Sequence, residues 1–123
     1  MSPISPEAPS QPATIAFEDF LKVDVRVGTV LSAVANRMAR KPAYVLEVDF
    51  GPTLGRRTTS AQLTTLYTPE QLIGRQVAAV VNFPPRRIAG VKSEVLVLGF
   101  PDAAGNVVLI GVDHPVPNGG RLF

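Results

Sequence analysis

Residues Val80–Phe100 read VVNFPPRRIAGVKSEVLVLGF, an arginine pair and a lysine set between two apolar runs. Val77–Val81 and Val95–Leu98 are β-branched and aliphatic and too short for helices, so they predict buried strands. Asn82-Phe83-Pro84-Pro85 stiffens the exit from the first strand, because proline fixes its own φ and restricts the residue before it. Arg86 and Arg87 follow at once. Ile88-Ala89-Gly90 then turns the chain, Gly90 adopting a backbone angle that other residues resist, and Lys92-Ser93-Glu94 leads into the second strand. Charge held on such a frame suits a partner. The competing reading is a proline-stiffened hairpin whose charges face water.

Outward from this segment the pattern stays that of short strands. Val23, Val25 and Val27 alternate with Lys22, Asp24 and Arg26, the period-two signature of a half-buried strand. The alternation breaks at Gly28, where a bulge or sharp bend is expected. Tyr44, Leu46, Val48 and Phe50 alternate with Val45, Glu47 and Asp49 as a second strand, and Gly51–Gly55 reads as the turn after it. Arg56–Ser60 is a third strand, polar enough to expose one face. Thr68-Pro69-Glu70-Gln71 is a helix start: a threonine cap, proline at the first position, and a glutamine that reaches back. Gly74 closes that short helix, and Val77 begins the fourth strand. Asn106–Val112 is the last strand region. Phe17–Leu21 predicts a helical turn whose aromatic residues cap one end of a barrel. These elements describe an all-β small barrel, with a sandwich as the alternative.

Composition bounds the function. At 123 residues and 46% hydrophobic the chain suits one domain with a real core. A net charge of +2 is far below the surplus of many nucleic-acid binders, so positive character must be local. Nine of the twelve cations are arginine, which suits planar recognition of carboxylate or phosphate. The absence of cysteine removes disulfides and thiolate chemistry. No membrane-length apolar run or export signal is present, so a cytoplasmic location without membrane insertion is expected. Residues 1–16 are read as an arm outside the domain at 17–123. Four prolines among Ser, Glu and Gln make Met1–Ala13 a disordered segment.

Catalysis has little support. His114 is the only histidine and precedes proline, so a histidine-rich metal site cannot be built within one chain. Glu47 and Asp49 share a strand face, as the wet side of an amphipathic strand does. Ser60 and Ser93 lack a neighbouring base. No enzyme activity, metal or cofactor is expected. A second basic stretch, Asn36–Pro42, carries Arg37, Arg40 and Lys41 but no aromatic stacking platform.

Three strings carry a family resemblance: TTSAQLTTLYTPEQLIGRQVAAVVN at Thr58–Asn82, FPPRRIAGVKSEVLVLG at Phe83–Gly99, and HPVPNGG at His114–Gly120. They resemble the CsaA family of protein-export chaperones, a branch of the tRNA-binding-domain group, from about Phe17 to the C-terminus. The resemblance implies a five-stranded Greek-key barrel of the oligonucleotide/oligosaccharide-binding (OB) type, with a short helix between strands 3 and 4. It also implies terminal extensions that support a homodimer, and binding of unfolded or precursor polypeptides without a chemical reaction. The proline-rich segment Asp113–Gly120 would then run along an edge or across a partner.

Two functions follow. In a chaperone, Phe83, Pro84, Pro85 and Ile88 supply apolar contact while Arg86, Arg87 and Lys92 attract acidic groups or carbonyls, and export machinery is a further partner. In a tRNA-binding protein, Arg56, Arg57, Arg86, Arg87 and Lys92 contact phosphates while Asn82 and Ser93 bond to sugar or base. Many tRNA-binding members resemble a Ser-x-Gly-Met pattern after the basic loop. This chain has Ser93-Glu94-Val95-Leu96, and the added negative charge favours the chaperone.

Overall fold

The computed structural model describes residues 11–123. The disorder expected of Met1–Ala13 therefore falls, for residues 1–10, outside the described residues. In chain order the elements are α1 (Phe17–Leu21), β1 (Val25–Ala35), β2 (Tyr44–Asp49), α2 (Gly51–Leu54), β3 (Arg56–Ala61), α3 (Pro69–Leu72) and β4 (Gln76–Val80). Then come β5 (Arg86–Ile88), β6 (Val91–Ser93), β7 (Leu96–Val97), β8 (Gly99–Pro101) and β9 (Val107–Leu109). Five antiparallel strands form one sheet in the order β3-β2-β1-β4-β7, a meander followed by a strand that returns beside β1. That is the Greek-key order. Bonds from β3 to residues 93–95 draw the two edges together, so the sheet is a nearly closed barrel with α3 between its third and fourth strands, as expected.

β1 serves both halves of the barrel. Val25–Thr29 pairs with β4, and Thr29–Ala35 pairs with β2. The bulge expected at Gly28 lies instead between Val30 and Ser32. Gly28 breaks the alternation for another reason: a Cβ there would sit 2.7 Å from Val48 Cγ1 and 2.9 Å from the Asp49 carbonyl. The glycine is a close approach of backbone to β2 rather than a corner.

In β2 the core follows the predicted alternation, whereas Val23, expected inside the first strand, precedes β1 and is exposed. Leu46, Val48 and Phe50 are fully buried with Val30, Leu72 and Val77. The threonine cap forms as read, with Thr68 Oγ1 accepting from the Gln71 amide at 3.3 Å and Gln71 Oε1 accepting from the Thr68 amide at 2.9 Å. This sets Leu72 into the core as the helix ends.

Several expectations need correction. Gly51–Gly55 holds a four-residue helix, α2, rather than a plain turn. No residue of α1 is buried, so its aromatic residues do not cap the barrel; Phe17 and Phe20 pack on each other at 6.1 Å between ring centres. Val95–Leu98 is strand only at Leu96–Val97, paired with Val80 and Ala79 of β4, and Leu96 is exposed; the Leu98 amide still donates to Ala78 O at 2.9 Å. Asn106–Val112 contributes only Val107–Leu109, paired with β8 in a separate hairpin. That hairpin is tied to the barrel by Ala78, whose amide donates to Ile110 O at 3.3 Å.

The C-terminal segment runs along an edge, as its prolines implied. β2 leaves the first half of β1 unpartnered, and residues 119–122 fill the gap. The Gly119 amide donates to Val27 O at 2.8 Å, the Val27 amide to Gly120 O at 3.1 Å, and the Leu122 amide to Val25 O at 2.8 Å.

Candidate functional site

The site begins at Asn82. Its Oδ1 accepts from the Asp24 amide at 3.0 Å and its Nδ2 donates to Lys22 O at 2.7 Å. Both ends of the amide hold backbone, which fixes the point from which Phe83-Pro84-Pro85 departs. Next to this anchor, Asp24 accepts from Arg26 Nε at 2.6 Å and from Arg26 Nη2 at 3.2 Å. That hydrogen bond, reinforced by the charges of Arg26 and Arg121 against the opposing effect of burial, holds the Asp24 carboxyl below the ordinary carboxylate range.

Arg86 to Ser93 do not form an open loop between strands but a hairpin of their own. Ile88 pairs with Val91, leaving Ala89-Gly90 as a two-residue turn with φ of 47° and 80°. Positive φ at both positions is the type I′ pattern, whose twist matches the flanking strands. The pairing then sorts the charges. Arg86, Ile88, Val91 and Ser93 share one face, and Arg87 and Lys92 lie opposite each other on the other.

The first of these faces meets a groove of about 550 Å³. Phe83, Pro84, Arg86 and Ile88 line it together with Thr59, Ser60, Ser93, Glu94, Val95 and Leu96. Its walls are apolar and open to solvent: Phe83 is 52% exposed, Ile88 43% and Leu96 43%. Sequence reading singled out five of these residues as site residues and missed Thr59, Ser60, Glu94, Val95 and Leu96. The polarity of the Arg56–Ser60 strand signalled an exposed surface, but nothing local tied it to Phe83.

The groove lies over the seam between β3 and the chain at residues 93–95. The Glu94 amide donates to Thr58 O at 2.8 Å, while Glu94 Oε1 accepts from the Thr58 amide at 3.0 Å. Thr59 Oγ1 donates to Val95 O at 2.7 Å and lies 2.7 Å from Ser93 Oγ, which in turn accepts from the Ser60 amide at 3.4 Å. The negative charge noted at Glu94 is thus turned onto backbone.

The remaining sequence-selected residues are dispersed. Arg56 pairs with Glu47 at 3.2 Å, and Arg57 Nε donates to Leu54 O at 3.1 Å. Neither lines the groove, nor do Pro85, Arg87 or Lys92. The basic loop Asn36–Pro42, in contrast, meets the hairpin tip: a Cβ on Gly90 would lie 2.6 Å from Met38 Sδ. Arg37, Arg40 and Lys41 are exposed on that loop, and Arg87 and Lys92 are exposed on the hairpin. Asp49 accepts from the Gly51 amide at 2.8 Å, so the carboxylates Glu47 and Asp49 each hold a structural partner. Among the described residues no group of three or more His, Cys, Asp or Glu is placed to hold a metal, and no helix is long and apolar enough to cross a membrane.

Residues 25–121 match the family model described as "Putative tRNA binding domain". The chain is 43% identical over 108 residues to the methionine–tRNA ligase of Porphyromonas gingivalis, covering 88% of this chain and 15% of that ligase. It thus spans about a seventh of that protein's length. Among solved structures, the chaperone CsaA of Bacillus anthracis is 54% identical with a TM-score of 0.84, over 90% of this chain and 100% of that one. The CsaA chaperone protein of Picrophilus torridus is 42% identical with a TM-score of 0.83, over 89% and 100% respectively. Sequence match, barrel topology and structural neighbours agree, and the chain belongs to the tRNA-binding-domain family as a CsaA-type member.

Proposed function

We propose that this protein is a non-enzymatic chaperone that captures unfolded or precursor polypeptides for export. The observation that carries this reading is the open groove at Phe83, Pro84 and Ile88, an apolar surface held by Asn82 and by the hairpin. Exposed apolar walls of this kind gain free energy by burying client side chains without demanding a particular sequence. Arg86 at the lining, and Pro85, Arg87 and Lys92 nearby, add contact and charge at the rim. A homodimer in the cytoplasm would double the groove at fixed spacing. An apolar depression of about 390 Å³ between Val112, Val116, Leu122 and Phe123 supports such an assembly.

A second reading, tRNA binding, is favoured by the family match and by the basic residues on the hairpin face turned away from the groove. A competition experiment at near-physiological salt separates the two. The purified protein is offered a labelled unfolded polypeptide and folded tRNA, each titrated against the other. Polypeptide capture that tRNA does not displace supports the chaperone. Tight, steeply salt-dependent tRNA binding with no polypeptide capture overturns it.

A further inference from the structure

β3 is an edge strand of the sheet, and its outer edge is closed in an unusual way. Across the seam runs one main-chain bond, from the Glu94 amide to Thr58 O. The donors of β3 that point the same way are met by side chains: the Thr58 amide by the Glu94 carboxylate, and the Ser60 amide by the Ser93 hydroxyl at a long 3.4 Å. Both side-chain oxygens stand where the carbonyls of a neighbouring strand would be. An unpaired edge is a template for another chain, and folded proteins commonly block it with charge.

These two substitutes line the apolar groove themselves, together with Ser60 and Thr59 of β3. Resting on the polypeptide-binding reading above, we infer that clients bind by strand addition: an extended segment pairs with the β3 edge, its carbonyls replacing the Glu94 carboxylate and the Ser93 hydroxyl and its amide replacing that of Glu94 on the Thr58 carbonyl, so that residues 93–94 give way along the seam. Alternate side chains of that segment face the apolar walls at Phe83, Ile88 and Leu96, and the intervening ones face outward. Charge defines the client further. Arg86 lines the groove and has no ion-pair partner among the described residues. The favoured client is therefore an extended, β-branched segment with an acidic residue at the Arg86 end. Main-chain pairing explains how affinity is gained while side chains vary. Glu94 and Ser93 act as an internal competitor that keeps the empty edge from pairing with another copy.

The test uses the intact protein and a fluorescein-labelled peptide alternating valine and threonine with one terminal aspartate, followed by anisotropy. Two further peptides carry N-methyl groups on alternate amides, one in each phase. Because a strand directs successive amides to opposite edges, methylation in at least one phase is expected to weaken binding by about tenfold or more. Equal affinity for all three peptides overturns strand addition and leaves groove binding standing. Failure of the unmethylated peptide and of an unfolded polypeptide to bind at all brings down the chaperone reading, and this inference with it. In Glu94→Ala the competitor is gone, and a folded variant is expected to bind the unmethylated peptide several-fold more tightly; weaker binding by a folded variant overturns the exchange. If that variant does not fold, the methylated peptides decide on the wild-type protein.

Discussion

Asp24, immediately before β1, and Arg26, within it, form a two-pronged ion pair, with Nε 2.6 Å from Oδ1 and Nη2 3.2 Å from Oδ2. Arg26 also donates from Nη1 to Gly119 O at 2.9 Å, and Arg121 Nε lies 3.6 Å from Asp24 Oδ1. The pair thereby clasps the C-terminal segment to β1, while the Asp24 amide anchors Asn82 at the root of the groove.

The Asp24 carboxyl is depressed chiefly by its hydrogen bond to Arg26, so its contribution is full above the unfolded value of about 3.9 and is lost as pH falls through the lower folded value. Denaturation series in urea are expected to show Asp24→Asn less stable than wild type by about 1 kcal/mol at neutral pH. That gap should begin to narrow below about pH 4, as the carboxylate of the unfolded chain protonates, and close only as pH falls through the lower folded value. A gap that persists unchanged into strong acid would place the effect elsewhere.

Gly28→Ala puts a methyl group against the Asp49 carbonyl, a backbone atom that cannot rotate away, as well as Val48 and Phe50. Thermal unfolding should register a loss of about 1–3 kcal/mol. The fold should remain, since the clash is local to the crossing of β1 and β2.

Ala89 occupies a left-handed position, φ 47°, beside Gly90 at φ 80°. Asparagine at the first position of a type I′ turn tolerates that angle. Ala89→Asn is expected to raise stability by roughly 1 kcal/mol, read as an increased urea midpoint at unchanged slope. Loss of stability would mean that the new side chain disturbs the packing of Met38 on the turn.

The two faces of the hairpin should separate in binding. Phe83→Ser and Ile88→Ser each remove apolar area from the groove and should weaken capture of an unfolded polypeptide by about tenfold, the effect of roughly 1.5 kcal/mol of lost burial. Any RNA affinity should be untouched. Arg87→Ala with Lys92→Ala should do the reverse, weakening polypeptide capture by less than about twofold through the lost rim charge while reducing the salt slope of RNA binding by about 2. Parallel losses in both assays from either variant would mean that the faces form one site.

Much of the barrel was legible because its strands obey local periodicity. Tyr44 to Phe50 alternate so plainly that burial follows directly, and Thr68 to Gln71 contain every group their cap requires. Short, weakly patterned segments were not legible in the same way. The apolar run Val95–Leu98 has the composition of a core strand, but its pairing depends on how far β4 accompanies it. In the event only two residues pair. Gly28 announced an irregularity whose nature, a close approach and not a bulge, depended on Val48 and Phe50 across the sheet.

By itself, then, the sequence determined the small β-barrel, the proline-stiffened exit at Phe83 and the rigid turn that carries the cations, since proline geometry, capping and alternation act between near neighbours. Only the tertiary structure decided that Arg86 faces the groove while Arg87 and Lys92 face away, and that Thr59 and Ser60 complete its lining. It alone turned Glu94 from a charge opposing phosphate into a group holding the Thr58 amide. The physical reason is one of range. A hydrogen bond between residues 36 positions apart exists only because the sheet curls until its edges meet, and that closure is a property of the whole barrel.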